Sequence, residues 1–313
     1  MDNKKIGFKV LKDTILIVAL VLIGLYVKDN FYTIVNKAEY IYIKYLQPDI
    51  KQNLVDNEYR KKVNYEYLTI TEDNIITNKE QIKNVIYTYL DAGWETYTVK
   101  CDPDYLTCMD DIKDIISDNT YLTDIANFVH PFNTFETLNT TFTNTGKITF
   151  KKISKYTDDE INEINQKIDQ IYNENYDSSK SVKENIKIFH DYIINNTKYD
   201  KENKDTKINM PSATAYGLLF NGKAICSGYT DTMQLLLEKM NVKNYRVSSD
   251  THVWNLVYIE GKWMHLDLTW DDPLTPDDTD ELSDAYFLIN ANELKSKQEN
   301  EHIFNENIYL EAK

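Results

Sequence analysis

Apolar positions along this chain follow two periods. Ile82, Val85, Ile86 and Tyr89 recur at i, i+3, i+4 and i+7 behind Asn78, which predicts a capped helix running to Leu90 and ended by Ala92-Gly93. Met109 to Phe128 reads as a second helical stretch. Asp158 opens a third, with Ile161, Ile164, Ile168 and Ile171 on one face. Val182 to Asn195 keeps the same period through Ile186, Phe189, Tyr192 and Ile193, and Ser227 to Met240 keeps it through Met233, Leu236, Leu237 and Met240. Elsewhere the pattern alternates. Glu95 to Lys100 reads as a strand, and Phe135 to Thr143 with Lys147 to Ile153 as a hairpin turning at Asn144-Thr145-Gly146. Thr251 to Ile259 and Lys262 to Trp270 form another pair around Glu260-Gly261. The pattern predicts an α+β fold, with polar breaks near Ser178-Ser179 and from Asn203 to Met210, and no internal repeat.

One run fits neither period. Thr14 to Val27 is uncharged and apolar, preceded by Lys4, Lys5, Lys9 and Lys12 and followed by Lys28 and Asp29. A full membrane span needs about 20 apolar residues, although about 17 suffice. Flanking lysines extend the effective length by snorkelling. No small-residue cleavage site follows, which disfavours a removed signal peptide, and no nearby cysteine offers a lipid anchor. The expectation is an uncleaved signal anchor, a single-pass membrane helix. Its lysine-rich end lies in the cytoplasm and everything after about residue 28 lies outside. Secretion after cleavage and a buried helix of a soluble protein are the alternatives.

Composition narrows the function. A 42% hydrophobic content supports a packed core. The net charge of -15, with no local basic stripe, argues against nucleic acid as a partner. Arg60 and Arg246 are the only arginines, and with many Asn, Ile and Tyr this points to an AT-rich bacterial gene. Of the three cysteines, Cys101 and Cys108 are neighbours that fit either a local disulfide or two buried thiols. Cys226 stands apart.

Cys226 lies in Asn221-Gly222-Lys223-Ala224-Ile225-Cys226-Ser227-Gly228-Tyr229, just ahead of a helical pattern. Gly217, Gly222 and Gly228 crowd around it, out of eight glycines in all, as tight turns or close backbone approach require. A helix N-terminus favours a thiolate, and its free N–H groups suit an oxyanion. His252 and Asp267 follow on the expected hairpin. A two-residue loop at Glu260-Gly261 sets Tyr258 opposite Trp263, Leu256 opposite His265 and Trp254 opposite Asp267. His252 then faces Thr269, diagonal to Asp267 at about 7–8 Å between Cα atoms, within reach of a ring and a carboxylate. Each residue alone has a plain structural reading: a core cysteine, a satisfied histidine, a strand-end carboxylate. Together they favour a thiol–imidazole–carboxylate triad. His190, beside Asp191 on a helix, reads as structural, and His265 as packed on Leu256. Zinc bound by Cys226, His252 and His265 is disfavoured, because the cysteine pairs or histidine clusters of zinc sites are missing. The acidic run Asp271 to Glu281 lacks EF-hand spacing and reads as a solvated loop rather than a calcium site.

These residues resemble the transglutaminase-like superfamily, whose fold is papain-like. The matching segments begin at Ile188 to Asp200 and continue through the Cys226 block. They end with the His252-Val253-Trp254-Asn255 strand and Asp267-Leu268-Thr269-Trp270. Val253 and Thr230 stand where alanine is expected, without touching the chemistry. The resemblance spans roughly residues 182 to 290. It implies that Cys226, His252 and Asp267 are catalytic, that the reaction is acyl transfer at an amide, and that no cofactor is needed. The backbone N–H of Cys226 is expected in the oxyanion hole, with Tyr216 or a residue from the 190s as the second donor. Trp254 and Trp270 either flank the cleft or belong to the core. The substrate is expected to be a protein or peptide, at the cell surface or in the cell wall. A peptidase or amidase is the first reading, with a cross-linking transglutaminase or a non-catalytic adaptor as alternatives. The expected organisation is a lysine-rich tail and anchor at 1–28, a stalk or linker at 29–60, an α+β accessory module at 61–178 and a transglutaminase-like catalytic domain at 179–313.

Overall fold

Two helices open the chain in the computed structural model, which describes residues 3–46, 50–143, 145–203, 210–272 and 283–313. They are α1 (Asn3–Asp29) and α2 (Phe31–Ile41). Among the described residues no single helix is long and apolar enough to cross a membrane, so the expected single-pass anchor is not supported. The stretches Thr14–Asp29 and Phe31–Leu46 pass by length and composition only as a pair, bent by 80°. The apolar run of α1 is shorter than a bilayer core, and a charged pair, Lys28 and Asp29, closes it.

The next part is built on β1 (Ile75–Ile76), α3 (Lys79–Asp91), β2 (Thr96–Cys101), α4 (Cys108–Ser117), α5 (Asn119–Ala126), β3 (Phe135–Phe142) and β4 (Lys147–Ser154). Its sheet runs β1-β2-β4-β3, with only the β1–β2 pair parallel. Asn78 caps α3 by accepting from the Gln81 N–H, as its spacing predicts, and Gly93 ends it at φ +71. The single helix expected over Met109–Phe128 is two. Asp118 breaks it and caps α5 through the Tyr121 N–H at 3.0 Å, because Asp competes better as a cap than as an interior residue. Cys101 and Cys108 form a disulfide between the end of β2 and the start of α4. Of the expected 144–146 turn, Asn144 lies outside the described residues.

The remainder follows as α6 (Asp158–Asn175), α7 (Val182–Asn196), β5 (Lys198–Tyr199), β6 (Lys223–Ala224), α8 (Cys226–Lys239), β7 (Asn244–Ser248), β8 (Val253–Ile259), β9 (Lys262–Leu266) and α9 (Ala291–Ser296). Thr157 and Ser181 head α6 and α7 with capping boxes closed by Glu160 and Glu184. Helix α8 packs on the antiparallel sheet β7-β8-β9, and Ile164, Ile168, Ile171, Ile186 and Phe189 bury against its outer face. The expected acidic loop from Asp271 lies mostly outside the described residues, as does most of Asn203–Met210.

A buried charge cluster fixes α8 in depth. Asp231 accepts from Arg246 of β7 at 2.7 Å, Lys155 at 2.7 Å and Tyr156 at 2.6 Å. Burial pushes its carboxyl up, but the Lys155 and Arg246 charges outweigh that and hold it below its ordinary value. The other end of Arg246 donates to the Ala126 carbonyl at 2.6 Å, so the same guanidinium ties α5 to the sheet beneath α8. That tie sets one wall of the cleft described next.

Candidate active site

The chain reaches Cys226 through a tight passage. The Ile225 N–H donates to the Ser212 carbonyl at 2.8 Å, and the Ser227 hydroxyl donates to the Ala213 carbonyl at 2.8 Å. Gly222 sits at φ +63, a conformation that favours glycine. Gly228 is required by space: a Cβ there lies 2.7 Å from the Ser212 carbonyl oxygen and 2.9 Å from Ala224 Cβ. Neither contact is with a flexible side chain. Gly228→Ala is therefore expected to cost about 1–3 kcal/mol by overpacking, read as a lower urea midpoint at unchanged slope, with slower Cys226 alkylation as the helix start shifts.

Cys226 is the first residue of α8, and its thiol is half-buried. The first N–H groups of a helix lack acceptors within it; here those of Gly228 and Tyr229 donate back to the Ile225 carbonyl at 2.9 and 3.3 Å, which leaves those of Cys226 and Ser227 at the helix start. The thiol opens on a cavity of about 320 Å³ shared with Ser249, Thr251 and His252, and with Asn119 and Thr123 of α5. The sequence gives no hint of that α5 wall, since nothing local in Asn119–Thr123 marks chemistry.

His252 immediately precedes β8, and Asp267 immediately follows β9. Tyr258 pairs with Trp263 and Leu256 with His265, as the two-residue turn predicts. The ladder then stops at Asn255–Leu266, so the expected pairs Trp254–Asp267 and His252–Thr269 do not form. Asp267 ends the strand instead of continuing it. Its Oδ1 accepts from the Thr269 and Trp270 N–H groups at 3.0 and 3.3 Å, a local turn that outcompetes the ladder. The contact between the two side chains is nonetheless made: His252 Nε2 lies 2.5 Å from Asp267 Oδ2.

The carboxylate accepts at Nε2, which leaves Nδ1 of His252 for the Cys226 thiol; the two residues line one cavity, and the thiol is near enough to raise the basicity of the ring. Burial lowers the basicity of His252, but the charge and hydrogen bond of Asp267, with Cys226 behind them, carry it up to about 10. Asp267 is held well below the usual carboxylate range. Burial opposes this, and the His252 charge and the hydrogen bonds of His252 and His302 override it. His252 also stacks on Trp254 at 5.6 Å and meets Trp270 edge-on at 6.5 Å.

The other expected residues divide. Trp254 is buried, and its Nε1–H donates to His265 Nδ1 at 2.9 Å. His265 Nε2 contacts the Ala312 carbonyl at 3.0 Å, so this histidine links the sheet to the chain end. Burial holds it down to about 4. The arrangement gives no support to a zinc site with Cys226. His190 lies between Asp191 at 2.9 Å and Asp271 at 3.1 Å, tying α7 to the turn after β9. Tyr216 packs on Phe220 at 4.6 Å and is absent from the residues lining the thiol cavity, so the structure does not bring it to the cleft. No residue of the 190s lines that cavity either.

Sequence reasoning passed over His302. Its Nε2 lies 2.8 Å from the same Asp267 oxygen that meets His252. The only available signal was scarcity, as one of five histidines in the chain. Among the described residues His252, Asp267 and His302 are the group whose metal-ligating atoms converge, within 4.8 Å of one another. The contacts of Asp267 with the two histidines, at 2.5 and 2.8 Å, are hydrogen-bond distances.

The segment that carries this geometry can be placed among known proteins. Residues 169–268 match the family model of the Transglutaminase-like superfamily. The resemblance expected from the sequence is borne out over that segment, which runs from α6 to just past β9, and the mixed α+β fold is consistent with a papain-like transglutaminase core. No curated protein matches the chain. A solved structure described as "Crystal structure of a TGase" is similar at 16% identity and TM-score 0.34, over 46% of this chain and 46% of its own. Another, described as a "Putative Cysteine Protease from Cytophaga hutchinsonii", is similar at 12% identity and TM-score 0.28, over 42% of this chain and 61% of its own. The chain thus spans less than two thirds of either structure.

Proposed function

We propose that this transglutaminase-like segment is a thiol enzyme that transfers the acyl group of an amide or peptide bond. The observation that carries the reading is a half-buried thiol at a helix start that shares one cavity with His252, whose ring meets a buried carboxylate. In this reading Cys226 sulfur attacks the carbonyl carbon, and the N–H groups at the start of α8 meet the oxyanion. His252 Nδ1 passes the thiol proton to the departing amine, which leaves an acyl thioester on Cys226. Asp267 keeps the ring oriented and balances its positive charge. A water then attacks the thioester and regenerates the thiol.

Hydrolysis is favoured because the cleft walls are small and polar, at Asn119, Thr123, Ser249 and Thr251, and admit water. The substrate is a protein or peptide presenting an exposed amide. The test offers a glutamine-containing peptide together with a labelled primary amine. Release of ammonia or peptide cleavage without label incorporation is the expected result. Incorporated label assigns transamidation instead, and an inert thiol assigns an adaptor.

The location proposed for this chemistry is outside the cytoplasm. The lysines ahead of residue 14 and the Cys101–Cys108 disulfide both support it. In this reading the bent pair Thr14–Asp29 and Phe31–Leu46, which passes for a span only together, holds the domain at the membrane. Protease treatment of intact cells is expected to degrade the chain beyond about residue 30, the end of the lysine-flanked apolar run. Survival until the cells are lysed reverses the orientation.

A further inference from the structure

The turn Asn300–His302 lies beyond the segment that matches the superfamily, yet it delivers a second imidazole to the carboxylate. His302 is 6% exposed and boxed by three rings, Trp254, Trp270 and Tyr286, each with its centroid 5.0 Å away. The reaction proposed above assigns this ring no proton and no bond. Its place in the hydrogen-bond pattern of Asp267 does assign it a task.

An ionised carboxylate offers about four acceptor sites. Two on Oδ1 are taken by the Thr269 and Trp270 N–H groups, and one on Oδ2 by His252. His302 fills the last. Because the carboxylate accepts, the ring proton of His302 resides on Nε2. Its Nδ1 is buried, with no hydrogen-bond partner among the described residues. Without His302, Oδ2 keeps an empty acceptor site in a buried place, at a desolvation cost, and the carboxylate is free to turn about χ2. A second donor also draws charge from the oxygen that pulls on His252.

We propose that His302 is a positioning residue: its Nε2–H fixes the rotation of Asp267 and shares its charge, so that His252 presents Nδ1 to Cys226. This rests on the triad reading given above. The titratable groups facing the trio are Cys226 at the start of α8, Tyr286 on the ring face of His302, Asp271, which accepts from the Tyr286 N–H, and His265 of β9 behind Trp254, which feels the charges of both His302 and Asp267. On the outer side Lys295, Glu299 and Glu306 share with His302 a surface cavity of about 380 Å³.

The experiment compares His302→Leu and His302→Gln in the full chain. It reads iodoacetamide alkylation of Cys226 per folded molecule and the pH midpoint of the His252 ring by nitrogen NMR. A freed carboxylate misplaces the imidazole, so His302→Leu is expected to slow alkylation on the order of tenfold or more. The same change moves the His252 midpoint upward, since Asp267 then pulls harder on its proton. Gln reaches as far as Nε2 with an N–H donor, so it is expected to restore both. A merely structural residue lowers the unfolding midpoint and leaves rate and titration alone, and that result overturns the proposal. A variant-free check guards against misfolding: ring spectra of the unaltered protein should find the His302 proton on Nε2, and finding it on Nδ1 also overturns the proposal. Failure of the triad reading looks different, because the unaltered thiol is then no faster than free cysteine.

Discussion

Asp267→Asn is expected to cost about 3–5 kcal/mol of folding stability, the scale for removing one partner of a buried ion pair. It should also lower turnover on the order of 10²- to 10⁴-fold. The carboxylate is 2% exposed and accepts from four donors. An amide supplies one oxygen and one NH₂. Turned one way, its NH₂ meets the N–H groups of His252 and His302; turned the other, those of Thr269 and Trp270. Either orientation leaves buried donors facing a donor. The pH dependence follows from the two shifts. His252 is raised from 6.5 to about 10, so its contribution is complete below 6.5 and fades as pH climbs through about 10. Asp267 is depressed from 3.8, so its contribution is complete above 3.8 and fades as pH falls below that. The stability gap between the unaltered protein and Asp267→Asn should be widest between pH 3.8 and 6.5. Urea unfolding at pH 5, 7 and 9 checks this. A gap that widens from pH 5 to pH 9 contradicts the paired assignment.

Cys226→Ala is expected to abolish turnover, and His252→Ala to come close to it, on the order of 10⁴-fold or more, because members of a catalytic unit are not additive. The other two cysteines are joined in a disulfide, so no second thiol can substitute. Both variants should be less active than Asp267→Asn, which keeps the nucleophile and base. The structure adds a distinction. His252 has its own load in the fold, stacking on Trp254 and bonding Asp267, so His252→Ala should also lose stability. Cys226→Ala removes only a half-buried thiol and should unfold near the unaltered midpoint. Single-turnover assays and urea curves on the two variants separate these effects. If Asp271→Asn proves the sensitive carboxylate variant, the triad assignment is wrong; the structure ties Asp271 to His190 and the Tyr286 N–H.

Much of this site can be read from local sequence, because local rules place it. The helix start at Cys226 follows from the glycines and the apolar spacing behind it. The turn at Glu260-Gly261 sets the register that brings Leu256 opposite His265. The exact strand end does not follow from alternation, since Leu266, Leu268 and Trp270 continue an apolar pattern past the ladder. Asp267 stops it through side-chain bonds to the next N–H groups, a competition that hydrophobic period does not register. The long-range partners are invisible for a different reason. His302 meets Asp267 across 35 residues, and the α5 wall meets Cys226 across about a hundred, through a packing fixed by Arg246 on Ala126. Such contacts depend on how separate elements dock, and no spacing rule encodes them. The break of the 109–128 helix at Asp118 lies between these cases: a capping residue stood in plain sight within an apolar period.

The most direct measurement is the second-order rate of Cys226 alkylation by iodoacetamide at pH 7, in the unaltered chain and in His252→Ala. Mass spectrometry assigns the label to Cys226, the free cysteine of the chain. A thiol beside an imidazole that Asp267 keeps charged through neutral pH should react at least about tenfold faster than free cysteine. His252→Ala should fall back to the rate of an ordinary thiol. Equal rates in the two proteins, with both folded, contradict the assignment of Cys226 and His252 as nucleophile and base.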